Sequence, residues 1–250
     1  MDLKDKHALI TGGGTGIGLA IARDLAAKGA RVTITGRRQE VLEEVAGDTL
    51  TPLAMDVRDE ADVQAKIAQA VAQNGPVQIC IPNAGIAEGR GLHKTDMAFW
   101  RNMMATNLDG AFLTIRESLS SMRQTDWGRV IAISSVAGLR GLPGAACYSA
   151  SKHGMIGLIR SLSEDYMGQP FTFNAICPGY VDTPIITRNT ESIAQRTGMD
   201  TDKAREVMVG MNRHKRLVEA DEIAAAVAWL VGPGSQSVNG QTIEIAGGQM

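Results

Sequence analysis

Thr11-Gly12-Gly13-Gly14-Thr15-Gly16-Ile17-Gly18 constrains this chain more than any other segment. It follows a short apolar run, His7-Ala8-Leu9-Ile10, and opens a stretch in which Ile17, Ile21 and Leu25 recur at helical spacing up to Gly29. Glycine lets a backbone turn sharply and come close to a ligand. The N-terminus of a helix offers free N–H groups and the positive end of the helix dipole. A strand, a glycine loop and a helix in this order form the phosphate-binding start of a βαβ unit. The spacing, Gly12, Gly16 and Gly18 followed by Leu19, is not the commoner G-x-G-x-x-G.

The rest of the chain repeats the alternation. Strand-like runs follow at 31–35, 50–55, 77–81, 129–134, 171–176 and 242–245. Helical patterns separate them, around 41–45, 63–71, 100–122, 149–167 and 223–230. Strands alternating with helices predict a Rossmann-like α/β fold: a doubly wound parallel sheet of about seven strands with helices on both faces. No repeat or linker divides the chain, so residues 1–250 are expected to form one domain. The segment from about 184 to 215 is longer than an ordinary connection and is expected to be a substrate lid with short helices of its own.

Composition limits the possible partners. Twenty-five basic and 27 acidic residues leave a formal net charge of −2, so no global field favours nucleic acid or an anionic membrane. No apolar run is long enough to span a bilayer. The first residues lack the apolar core of a signal peptide. Cys80, Cys147 and Cys177 have neither metal-ligand nor disulfide-framework spacing, and no metal site is expected. Together these predict a cytoplasmic globular protein.

The second strand ends in Thr35-Gly36-Arg37-Arg38. A carboxylate at this point would bond an adenosine ribose and reject a 2′-phosphate. Its absence, with two guanidiniums in its place, favours NADP(H) over NAD(H).

Tyr148 and Lys152 are four residues apart, which puts them on one helix face. A free phenol has a pKa of about 10, and a neighbouring ammonium would lower it toward a useful range. Ser135 follows the fifth strand, at the edge where open α/β sheets bind ligands. Its hydroxyl could hold a carbonyl while Tyr148 donates a proton.

These segments, with Asp56-Val57, Asn83-Ala84-Gly85, Asn107 and Pro178-Gly179-Tyr180-Val181-x-Thr183, occur in an order that resembles the single-domain short-chain dehydrogenases/reductases over essentially the whole chain. The resemblance implies Tyr148 as general acid/base, Lys152 as its modulator and ribose ligand, Ser135 as the residue that positions the carbonyl, and Asn107 as the holder of a relay water. It implies cofactor contacts from Gly12, Thr15, Gly16, Ile17, Gly18, Asp56, Val57, Asn83 and Gly85, with Pro178, Gly179, Val181 and Thr183 shaping the nicotinamide wall. It also implies a homotetramer or homodimer built partly through the 100–122 and 149–167 helices and the C-terminal segment. Two departures stand out: Pro82 replaces a frequent Asn, and Thr15 sits where NADP(H)-preferring members often carry a base.

The substrate is expected to be a small carbonyl or alcohol. In the lid, Ile185, Ile186, Met199, Met208 and Met211 suit an acyl or ring pocket. Its bases Arg188, Arg196, Lys203, Arg205, Arg213 and Lys215, with Arg216, suit the phosphates of a coenzyme A or carrier-protein thioester. A 3-oxoacyl thioester reductase is therefore favoured. The alternatives are an enzyme for free ketones (steroid, sugar or xenobiotic) and a non-catalytic nucleotide-sensing regulator, since fold does not fix function.

Overall fold

The computed structural model describes residues 2–248, and only the backbone of residues 192, 196 and 197. Seven parallel strands form one sheet in the order β3-β2-β1-β4-β5-β6-β7. They are β1 (His7–Thr11), β2 (Arg31–Gly36), β3 (Leu50–Ala54), β4 (Val77–Ile81), β5 (Gly128–Ile133), β6 (Phe171–Pro178) and β7 (Thr242–Ile245). The central strands are buried on both sides, which is why they read as unbroken apolar runs.

Side chains alternate along each strand and divide the core in two. Ala8 and Ile10 of β1, Ile79 and Ile81 of β4, and Ile131 and Ile133 of β5 face one layer. That layer is closed by α1 (Gly16–Ala27), α2 (Gln39–Ala46) and α9 (Ala220–Val231). Leu9, Cys80, Val130 and Ala132 face the other layer. It is closed by α3 (Glu60–Asn74), α5 (Gly110–Met122) and α6 (Ala146–Asp165). His7 begins β1 fully buried, its ring nitrogens 2.7 Å from the Gly75 carbonyl and 2.9 Å from the Thr33 hydroxyl, so its role is structural.

The helix expected over 100–122 starts earlier and is interrupted. α4 (Met97–Met104) passes through a π-helical turn, Ala105–Asp109, into α5. A π turn widens the helix by one residue, and such turns are frequent at functional sites. Here it carries the fully buried Asn107.

The strand order reverses between β1 and β4, where a crevice opens at the carboxyl ends of the strands. Over this edge, between β6 and α9, stand α7 (Pro184–Thr197) and α8 (Thr201–Met211), packed together through Ile186, Met208 and Leu217.

Candidate active site

The glycine loop is fastened to the far side of the crevice. The Thr11 hydroxyl accepts the N–H groups of Asn83 and Ala84, each at 3.0 Å, and Asn83 Nδ2 donates to the Thr11 carbonyl at 2.8 Å. Pro82 has no N–H to give, and its carbonyl instead accepts the Ile133 N–H at 3.0 Å. Gly12 sits at φ +66°, and a Cβ on Gly18 would stand 2.4 Å from the Gly12 oxygen. Gly18 therefore seats α1 against the loop, while Gly12, Thr15, Gly16 and Ile17 line the crevice.

The crevice has two chambers. The first chamber, about 500 Å³, is bordered by Arg37, Arg38, Asp56 and Val57. Asp56 is held by Arg58, Nη2 to Oδ2 at 2.6 Å and Nε to Oδ1 at 3.0 Å, and this bond keeps its carboxyl below the usual range. Sequence reasoning missed Arg58, because nothing in the spacing marks it as Asp56's partner.

The second chamber, about 190 Å³, contains Tyr148 and Lys152 together with Gly85, Asn83 and Thr183. Tyr148 lies in the first turn of α6 and Lys152 one turn on, on the same face. Lys152 is 4% exposed, and its Nζ donates to the Ile133 carbonyl at 2.9 Å. Burial lowers its pKa from 10.5 to about 8. Ser135 stands two residues beyond β5 and caps a short turn, its Oγ accepting the Ala137 N–H at 3.1 Å.

The expectation for Tyr148 needs correction. Its pKa is raised, because burial outweighs the opposing hydrogen bond with Ser135. Lys152 Nζ is 5.9 Å from the centroid of the phenol ring and is itself held by Ile133, so it does not offset the desolvation.

Asn107 is fixed at both ends of its amide. Oδ1 accepts the Ile86 N–H at 2.8 Å, and Nδ2 donates to the Ile86 carbonyl at 3.0 Å and the Ser151 hydroxyl at 3.1 Å. A Cβ on Gly85 would lie 3.2 Å from Asn107 Oδ1 and 3.7 Å from Lys152 Nζ, so the bare Gly85 leaves these two groups facing one space.

Beyond Tyr148 lies a mainly apolar cleft of about 310 Å³. Pro178, Gly179 and Val181 line this cleft, and Thr183 borders both it and the smaller chamber. Ile185, Ile186 and Met208 line it as expected, but Met199 and Met211 are exposed on the lid instead. None of the lid's bases lines this cleft among the described residues. Arg205 pairs with Asp182 at 3.2 Å, Lys215 Nζ donates to the Gly210 carbonyl at 2.7 Å, and Arg216 pairs with Glu222. Lys203 and Arg213 are exposed and outside the cleft. Arg188 borders both chambers of the crevice, and the side chain of Arg196 lies outside the described residues. The polar groups of the cleft are Ser134, Ser135, Tyr148, Tyr180, Thr183 and Asn189, with Glu88 as its charged member. Sequence reasoning gave Tyr180, Asn189 and Glu88 no role.

These features fit a nicotinamide dinucleotide. A glycine cradle that a Cβ would fill leads to a chamber holding a phenol, an amine and a hydroxyl. The comparisons agree. A family model described as short chain dehydrogenase matches residues 6–194. Levodione reductase of Leifsonia aquatica is 37% identical, over 98% of this chain and 94% of that one. A D-beta-hydroxybutyrate dehydrogenase of Rhizobium meliloti (strain 1021) is 31% identical, over 97% and 98%. A crystal structure of a tryptophan variant of actinorhodin polyketide ketoreductase with NADPH superposes with a TM-score of 0.94 at 33% identity, covering 99% of this chain and 98% of that one. No helix among the described residues is long and apolar enough to cross a membrane. The chain belongs to the short-chain dehydrogenase family and is an oxidoreductase that acts on CH–OH groups.

Proposed function

We propose that this protein is an NADP(H)-dependent reductase of a neutral ketone with an apolar body, working with Tyr148, Ser135, Lys152 and Asn107. The observation that carries this reading is the place of Tyr148, in the wall shared by the cofactor-side chamber and the apolar cleft. A phenol there can reach a carbonyl held between the two.

A bound nicotinamide supplies the hydride. Ser135 donates a hydrogen bond to the carbonyl oxygen, and Tyr148 gives it a proton as negative charge develops. The raised pKa of Tyr148 keeps the phenol protonated and ready to donate in the reducing direction. Lys152 and Asn107, facing one space beside Gly85, return a proton to Tyr148 from solvent. Arg37 and Arg38 hold the 2′-phosphate, which no carboxylate at the end of β2 opposes. The α7–α8 unit is the lid over the substrate.

The cleft has no cation among its described lining residues, which favours an uncharged ketone over a substrate recognised by its phosphates. A 3-oxoacyl thioester remains the second reading, supported by the structural match to a polyketide ketoreductase. Its acyl part would occupy the cleft, with the phosphates outside. The regulator reading has less support, because a nucleotide sensor needs no proton donor between two cavities. Assembly into a homodimer or homotetramer is consistent with Phe112 on α5 and Trp229 on α9, 44% and 48% exposed.

The test is NADPH oxidation by wild type and Tyr148→Phe. The panel is acetoacetyl-CoA, a phosphate-free acetoacetyl thioester and a cyclic diketone. General acid catalysis is worth about 10²–10⁴-fold, so Tyr148→Phe should lose at least that much while still binding NADPH. Full activity in the variant would refute the mechanism. Turnover of acetoacetyl-CoA alone would make the phosphates part of recognition and remove the neutral-ketone reading.

A further inference from the structure

We propose that Arg188 is the cation that holds the pyrophosphate of the dinucleotide, supplied by α7 rather than by the glycine loop. The proposal rests on the dinucleotide reading above and adds a binding residue to it.

The two chambers of the crevice meet at Gly12, Thr15, Ala84, Gly85, Ile86 and Arg188, the residues that border both. A dinucleotide with its nicotinamide by Lys152 and its adenosine by Arg37 must carry its pyrophosphate across this junction. Five of these six residues are uncharged, and Thr15 brings the glycine loop to the junction without a charge. Arg188 supplies the junction's cation from the opposite side.

Local geometry places it there. The start of α7 abuts the glycine loop: a Cβ on Gly16 would lie 3.1 Å from Thr183 Cγ2 and 3.8 Å from Pro184 Cδ. Arg188 is one turn into α7, and its Nε points back to the Pro184 carbonyl at 3.4 Å. The residue borders both chambers. It is exposed, and no carboxylate among the described residues pairs with it. Arg37 and Arg38 share the adenosine-side chamber but do not border the nicotinamide-side one, which separates their phosphate from that of Arg188.

The placement has a consequence for the substrate. Ile185, Ile186 and Asn189, on the same helix as Arg188, line the apolar cleft. A pyrophosphate held by Arg188 therefore fixes the helix that forms one wall of the substrate site.

The experiment measures NADPH, NADH and adenosine 2′,5′-bisphosphate binding to the full chain by calorimetry, in wild type, Arg188→Ala, Arg188→Lys and Arg37→Ala. A charge-assisted contact is worth roughly a factor of ten or more in affinity. Arg188→Ala should weaken NADPH and NADH by that same factor and weaken the bisphosphate, whose 5′-phosphate is only the adenosine half of the pyrophosphate, by less. Arg188→Lys should restore part of the loss, and Arg37→Ala should weaken only the two ligands with a 2′-phosphate. Unchanged dinucleotide binding by Arg188→Ala would overturn the proposal. So would a loss confined to NADPH and the bisphosphate, which would make Arg188 a 2′-phosphate ligand. A wild-type chain that bound neither dinucleotide would overturn the dinucleotide reading and this proposal together, whereas the first two outcomes leave that reading standing.

Discussion

The side-chain amide of Asn212 closes on both backbone groups of Tyr180: Oδ1 accepts the Tyr180 N–H at 2.9 Å and Nδ2 donates to its carbonyl at 2.8 Å. Nδ2 also donates to the Arg216 carbonyl at 2.7 Å, and the residue is fully buried. One side chain thus ties the end of α8 to the segment that follows β6, from which the Tyr180 ring borders the apolar cleft. Asn212→Ala should strand buried donors and acceptors, at a cost of about 1–3 kcal/mol. Calorimetry should show a melting temperature several degrees lower. Steady-state kinetics should show a raised KM for the ketone with NADPH affinity unchanged. An equal loss of NADPH affinity would mean that Asn212 supports the whole crevice rather than the substrate wall.

Gly18 and Gly14 make a contrasting pair in the glycine loop. A methyl on Gly18 would meet the Gly12 oxygen at 2.4 Å and Asn83 Nδ2 at 2.5 Å, and the backbone oxygen cannot move without opening the loop. A methyl on Gly14 would meet the flexible end of Leu42 at 3.1 Å. Gly18→Ala should therefore weaken NADPH binding by at least tenfold, about 1.4 kcal/mol. Gly14→Ala should bind close to wild type. Fluorescence titration of both variants checks this, and equal affinities would show that the loop can yield at Gly18.

The fold was legible because the central strands of the double-sided sheet are apolar runs and the helices between strands carry one-sided patterns. The shared face of Tyr148 and Lys152 was legible because four residues on a helix is one turn. What could not be read depends on contacts between distant segments. The π turn carries Asn107 to its hydrogen bonds with Ile86 and Ser151, and no local propensity marks it. Which of the lid's bases are already paired could not be read either: Arg205 meets Asp182 and Arg216 meets Glu222. Tyr148's acidity was misjudged because sequence shows the neighbouring charge but not the burial that outweighs it.

Arg37 and Arg38 border the adenosine-side chamber, and the one carboxylate there, Asp56, is already bonded to Arg58. The local field therefore favours a phosphate. Arg37→Ala should reduce kcat/KM for NADPH by roughly 10–100-fold, the worth of a charge-assisted pair, and barely alter that for NADH. Initial rates with each cofactor at fixed ketone measure the ratio. Wild-type preference for NADH would contradict the role given to Arg37.

Lys152 makes stability depend on pH in a predictable direction. Burial lowers its folded pKa to about 8, against 10.5 when unfolded. Between those values the unfolded chain binds a proton that the folded chain does not, so this group makes stability rise with pH. The contribution is roughly 3 kcal/mol at most, at 1.36 kcal/mol per pKa unit. Cys177 and Cys80 act in the opposite sense above their ordinary 9.0, because burial raises them to about 11 and about 12. Tyr148 does the same above 10. The contribution of Lys152 is therefore isolated by comparing wild type with Lys152→Met, both without cofactor, across pH 7 to 10. Removing a buried cation should raise the melting temperature at pH 7, and the advantage should shrink as wild-type Lys152 loses its proton above pH 8. A difference that stays constant across this range would show that Lys152 titrates at its ordinary value, and that the Ile133 carbonyl bond offsets the burial.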